Sequence, residues 1–240
     1  MSLKGKRIVI LGGSAGIGLA TAKAAADDGA LVVIASSSQA RIAKAKETLP
    51  PNVEGHVINL REEASIKAFF EKIGAYDHLV YTAGDPLLVV PQKDLSLAEA
   101  QKFFGTRYWG AFLATKYGAA QIRAGGSIVL SSGMAARRPR AGLSVVSSVC
   151  GAMESLGRAL AVELAPLRVN VVCPGTVKTE LWDSFPESVR EATFKRAEEN
   201  LPVKHAAEPH EVAEAYLYLM RGGFTTGQVV VADGGFSVAG

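Results

Sequence analysis

The chain has 240 residues, 48% apolar and 20% charged, with a formal net charge of +3, which fits one α/β domain with a sizeable core. Lys and Arg are dispersed along the whole chain, which argues against nucleic acid or a membrane as partner. Cys150 and Cys173 form no CxxC pair, so no disulfide framework is expected and a cytoplasmic location fits.

The first element is "RIVIL" at 7–11, a short apolar run after basic residues. Gly12 and Gly13 end it without a cleavage-type segment, so it reads as a β-strand and not a signal peptide. "ILGGSAGIGLA" then sets Gly12, Gly16 and Gly18 between this strand and a helical pattern over 15–29, with Ser14 and Ile17 among them. Glycines allow a tight turn and close approach of a pyrophosphate to the free N–H groups of the helix start, and Ser14 can add a hydroxyl donor.

"LVVIA" at 31–35 is the second strand, followed by Ser36, Ser37 and Ser38, with Arg41 one turn on. A carboxylate there would pair with the ribose of NAD(H). Hydroxyls and a guanidinium suit a 2′-phosphate, which favours NADP(H). The same serines would also suit an ordinary helix cap.

Further strands follow at "HVI" (56–58), "HLVY" (78–81), "SIVL" (127–130), "VNVVC" (169–173) and "QVVVA" (228–232), with a helical pattern over 62–74. Several are Val/Ile-rich without alternation, as strands buried on both faces should be. Strand and helix alternate, so the expected fold is α/β: a doubly wound, Rossmann-like parallel sheet of about seven strands in one domain over 1–240.

Longer loops leave the fourth and sixth strands at their carboxyl ends, where such folds bind ligands. Within the second, Trp182 and Phe185 give the segment near 176–203 a lid-like character; a solvated helical excursion fits equally. No apolar stretch approaches the length of a membrane span. The four His, at 56, 78, 205 and 210, lack ligand spacing, and no metal site is expected.

The G-x-x-x-G-x-G turn, "VYTAG" at 80–84, "IVLSSG" at 128–133, "VNVVCPGTVKT" at 169–179 and "TTGQVVVADGG" together resemble the short-chain dehydrogenase/reductase family over nearly the whole chain. The resemblance implies further cofactor contacts. Asn59 and Leu60 would flank the adenine, and Ala83 and Gly84 end the fourth strand. Pro174 and Gly175 would lie beside the nicotinamide, with its amide held by the backbone around Val177 and by the Thr179 hydroxyl. It also implies a homotetramer or homodimer.

The family moves its proton with a tyrosine, a lysine four residues later, an upstream serine and an asparagine. Hydride transfer to a carbonyl creates an alkoxide, which needs a positioned acid. Here the tyrosine position reads Val146 and the lysine position Cys150. The serine is retained as Ser132, beside Ser131, and the asparagine falls near Arg107. Tyr81 and Thr82 replace an Asn-Asn pair, and no tyrosine lies between Tyr117 and Tyr216.

Ser132 and Arg107 are therefore the expected catalytic residues. Arg107 could hold an anionic substrate, stabilise an oxyanion, or form a structural ion pair. Cys150 could be a thiol acid or an inert small hydrophobe. Arg137, Arg138 and Arg140 could attract a substrate carboxylate or phosphate, or serve a loop or subunit contact.

Three functions fit. The first is an NADP(H)-dependent oxidoreductase with non-standard proton chemistry, acting on an activated carbonyl, imine or iminium, or quinone-like small molecule. The second is an NADP(H)-binding protein without turnover, as a sensor or inactive oligomer partner. The third is a cofactor-bound scaffold for a non-redox reaction. The departures resemble an atypical branch of the family that includes fungal alkaloid-pathway enzymes acting on iminium-type substrates, a few of which steer a cycloaddition.

Overall fold

The structure, a computed structural model, describes residues 2–239. Seven parallel strands form one sheet: β1 Arg7–Leu11, β2 Leu31–Ser36, β3 Glu54–Val57, β4 Tyr76–Tyr81, β5 Ile122–Ser131, β6 Arg168–Pro174 and β7 Val229–Ala232. Their order is β3-β2-β1-β4-β5-β6-β7. The winding reverses between β1 and β4, where Leu11 pairs with both Ala35 and Tyr81. That reversal opens a crevice at the carboxyl ends of the strands.

The helices are α1 Gly16–Asp27, α2 Gln39–Lys46, α3 Glu63–Ile73, α4 Leu97–Phe104, α5 Gly110–Gly118, α6 Ser144–Glu163, α7 Glu187–Asn200 and α8 Pro209–Arg221. They cover both faces, which explains the unbroken apolar strands. Val9 and Leu11 belong to one core cluster with Phe70 of α3, Ala114 of α5 and Met153 of α6. Ile8 and Ile10 belong to the other, with Ala22 of α1, Ile42 of α2 and Tyr216 of α8. Alternate residues of a strand thus serve opposite layers.

The third strand begins two residues earlier than "HVI" and stops at Val57, because its partners on β2 are Val33 to Ser36. It is the sheet edge, so its weak apolar pattern follows from exposure. Helix α6, with 20 residues, is long and apolar enough on average to cross a membrane. In this fold its buried side contributes Val146, Val149, Met153, Leu156 and Leu160 to the core.

One buried titratable group sets a pH dependence. His78 of β4 is 3% exposed and its Nδ1 lies 2.9 Å from the Ser127 hydroxyl of β5. Burial holds its pKa down, to about 4. The unfolded chain therefore takes up this proton first. The stabilisation is complete above the ordinary value near 6.5 and is lost as pH falls towards 4, by about 3 kcal/mol. Urea unfolding at pH 7.5 and 4.5 should show this loss, and His78→Gln should reduce it.

Candidate functional site

The crevice is built first by the turn from β1 into α1. Gly12 has φ +93°, and a Cβ on it would lie 2.5 Å from the Ala83 nitrogen. A Cβ on Gly18 would lie 2.2 Å from the Gly12 carbonyl oxygen and 2.4 Å from Thr82 Oγ1. Only glycine permits this packing of the turn against the end of β4. The N-cap of α1, Ala15, supplies no side-chain cap, and its first turn holds no acid. The uncapped amides therefore suit an anion. Gly16 faces the Thr179 side chain, and Ser14 and Ile17 lie half-buried in the turn.

The end of β2 divides its serines by role. Ser36 is 8% exposed and belongs to the strand. The Ser38 hydroxyl caps α2, accepting from the Arg41 amide at 3.3 Å. As a cap Ser38 keeps its own O–H free to donate, while Ser37 and the Arg41 guanidinium are the exposed groups, and Arg41 makes no ion pair among the described residues. Beyond β3, Asn59 Oδ1 accepts from the Arg61 amide at 3.1 Å. Leu60 is buried, with its carbonyl against Gly110, so it can offer a cofactor little beyond its backbone.

Past β5 the structure corrects the place of Ser132. Its hydroxyl donates to Glu154 Oε1 at 3.3 Å, one turn beyond Cys150 on α6. Glu154 is buried and also takes Arg137 Nε at 3.3 Å and Nη2 at 3.2 Å. Ser131, on the opposite face, donates to the Tyr81 carbonyl at 2.6 Å and meets the Tyr216 hydroxyl at 2.7 Å. The backbone position facing Cys150 is instead Gly133, whose Cβ would lie 3.2 Å from the Cys150 sulfur.

Val146 is 6% exposed in the core. Burial pushes the Cys150 thiol up to about 11, although the neighbouring Arg107 favours its thiolate. The Tyr81 hydroxyl is buried, which raises its pKa, and it donates to the Thr106 carbonyl.

Arg107 sits in a π-helical turn, Gly105–Trp109, between α4 and α5. Such a turn carries an extra residue per winding and re-aims its side chains. The guanidinium lies 4.9 Å over the Phe103 ring, fills the space beside Gly84, and donates from Nη2 to the Asp85 carbonyl. Among the described residues it pairs with no carboxylate, and its Nε has no acceptor. Of the roles expected for it, the structural ion pair is therefore not formed.

On the far side, Gly175 is required because a Cβ there would lie 2.7 Å from the Asp233 Cα. Pro174 pairs with Ala232 at the end of β7. Val177 is buried and its carbonyl accepts from Trp182 Nε1 at 2.9 Å. The Thr179 hydroxyl accepts from the Leu181 amide at 3.4 Å. The segment near 176–203 forms α7, and Trp182 packs on Phe185 and Phe194. It walls a cleft of about 720 Å³ with Gly16, Lys23 and His210.

The three loop arginines each have a partner within the chain. Arg137 holds Glu154, while Arg138 and Arg140 flank the Phe236 ring at 5.1 and 5.2 Å. Sequence reasoning missed Glu154, Asp85 and Phe236. Asp85 alone carried a signal, as the charged residue directly after the "TAG" strand end.

A lysine at Cys150 would bring a second cation beside the Arg107 guanidinium in a half-buried space, so Cys150→Lys is expected to cost about 2–4 kcal/mol. Thermal melts should show Tm lowered by about 5–15 °C. Much of that loss should return in the Cys150→Lys/Arg107→Asn double variant.

A switch-point crevice, a glycine turn and uncapped helix amides define a dinucleotide-binding α/β protein. A family model described as Enoyl-(Acyl carrier protein) reductase matches residues 12–237. The chain is 34% identical to the short-chain dehydrogenase/reductase ATR9 of Stachybotrys chlorohalonatus, over 98% of each chain. A crystal structure of a small-chain dehydrogenase in complex with NADPH is similar at 33% identity and TM-score 0.83, covering 98% of this chain and 100% of that one. The MalC reductase/Diels-Alderase of Malbranchea aurantiaca is similar at 31% identity and TM-score 0.89, covering 97% and 96%. The chain belongs to the short-chain dehydrogenase/reductase family of oxidoreductases.

Proposed function

We propose that this protein is an NADP(H)-dependent oxidoreductase with non-standard proton chemistry, acting on an activated carbonyl, imine or iminium, or quinone-like small molecule. The carrying observation is the uncapped start of α1 behind Gly12 and Gly18, with Arg41, which makes no ion pair among the described residues, in the first turn of α2 just past the neighbouring strand. When bound, NADP(H) supplies or accepts the hydride. Ser14, Gly16 and the α1 amides hold its diphosphate, and Ser37 with Arg41 takes the 2′-phosphate. The 174–179 segment orients the nicotinamide amide. Arg107 is the cation that stabilises a developing oxyanion or holds an anionic group.

No side chain near Arg107 is suited to give up a proton at neutral pH. Ser132 is bonded to Glu154, Tyr81 to the Thr106 carbonyl, and the Cys150 thiol sits at about 11. A substrate that is already cationic needs no proton on reduction, and a quinone can take one from water. That same lack of an acid favours the second reading, NADP(H) binding without turnover. The relative named as a reductase/Diels-Alderase supports the third, a cofactor-bound scaffold for a non-redox step. A cytoplasmic location and no nucleic-acid or membrane partner complete the proposal. A homotetramer or homodimer would cover Trp109, Phe112, Val162 and Phe224, which are exposed in the single chain.

Fluorescence titration with NADPH and with NADH tests the cofactor. Saturable NADPH binding is expected, and no binding of either would end all three readings. Stoichiometric NADP⁺ formation with imines, quinones or activated carbonyls would then separate the oxidoreductase from the other two.

A further inference from the structure

Asp85 follows the end of β4 and is held from two sides. Its Oδ1 accepts from Arg61 Nη2 at 2.7 Å, and Arg61 Nε donates to Thr106 Oγ1 at 3.1 Å. The Asp85 backbone carbonyl accepts from Arg107. Its second oxygen, Oδ2, is buried and has no partner among the described residues. An acceptor kept from water without a donor is costly, and such atoms are rare in folded proteins. The Arg61 clamp leaves Oδ2 little freedom to turn back to solvent. Arg107 Nε, on the side chain that holds the Asp85 carbonyl, and Ser147 Oγ of α6 are likewise buried and unpartnered among the described residues.

The place of Asp85 selects the donor. The backbone of Thr82 and Ala83 abuts Gly12, so Asp85 lies just past the diphosphate turn. It stands on the β4 side of the crevice, across β1 from Ser37 and Arg41 of the β2 side. That is the half that receives the nicotinamide riboside when the 2′-phosphate lies at β2. A ribose offers hydroxyl donors, and a carboxylate oxygen is a strong acceptor for them. Cys150, at the family's lysine position, carries no ammonium group to offer this half of the crevice.

We infer that Asp85, clamped by Arg61, is a cofactor-binding residue that accepts a hydrogen bond from a hydroxyl of the nicotinamide ribose. The inference rests on the NADP(H)-binding reading.

Titrations of the full chain with NADPH and with 2′,5′-ADP, which lacks the nicotinamide riboside, test it. Asp85→Asn is expected to weaken NADPH about 10-fold or more, as for loss of a charge-assisted hydrogen bond, with 2′,5′-ADP within about twofold of wild type. Arg61→Gln, which leaves the carboxylate but frees it, should weaken NADPH less, again without moving 2′,5′-ADP. It carries the test if Asp85→Asn fails to fold. Unchanged NADPH affinity in the folded variants would overturn the inference, as would an equal loss of both ligands, which marks Asp85 as a support of the loop. Failure of wild type to bind either ligand would instead sink the cofactor reading itself.

Discussion

Gly12→Ala is expected to abolish measurable NADPH binding and to lower the melting temperature. The residue has φ +93°, where alanine is strained, and its Cβ would meet three backbone atoms of Thr82 and Ala83 at 2.5–2.8 Å. Backbone cannot rotate aside as a long side chain can, so the β1–α1 turn would have to lift off β4. Two backbone hydrogen bonds anchor that region: the Gly12 amide to the Ala35 carbonyl and the Thr82 amide to the Leu11 carbonyl, both at 2.9 Å. Displacing the turn strains both and tilts the start of α1 away from any diphosphate. A cost of about 2–4 kcal/mol in stability is expected from the strain and clash, with NADPH affinity reduced more than about 100-fold. Thermal melts with and without NADPH measure both effects. A variant that binds NADPH as wild type does would show that the turn is not the phosphate site.

Arg41→Ala is expected to separate the two nicotinamide cofactors. Arg41 lies in the first turn of α2, where a cation opposes the helix dipole. It is exposed and has no carboxylate partner among the described residues. The fold therefore gains little from this guanidinium, and its removal should change stability by less than about 0.5 kcal/mol. A 2′-phosphate would gain a charge-assisted bond from it. Its loss should weaken NADPH about 10- to 100-fold, the effect of losing such a bond, and leave NADH nearly unchanged. Equal effects on the two cofactors would place Arg41 outside the phosphate contact.

These two residues also show how far a sequence can be read. The glycine turn was legible because a positive φ and close backbone approach allow few residue types, and because it falls between a strand and a helix pattern. The same holds for the doubly wound sheet: an unbroken Val/Ile run signals burial on both faces wherever its partners lie. The sequence also places Val146 and Cys150, neither a tyrosine nor a lysine, where the family resemblance leads one to expect its proton-carrying pair.

What the tertiary structure decided was direction and partner. The period of a strand places Ser131 and Ser132 on opposite faces, yet only the packing of α6 on β5 reveals that Ser132 meets Glu154, 22 residues away. Three arginines in one loop fit an anion site or a loop or subunit contact equally until Phe236 is found between two of them and Glu154 against the third. Ser38 and Ser37 look alike in the chain, and the start of α2 makes one a cap. Arg61 and Asp85 carry no joint pattern, because their contact spans 24 residues and is made across the ends of two strands. Local conformational demands and burial periods are written in neighbouring residues. The partner of a polar side chain is set by which distant elements the core brings together, and in this protein that is where the chemistry of the site lies.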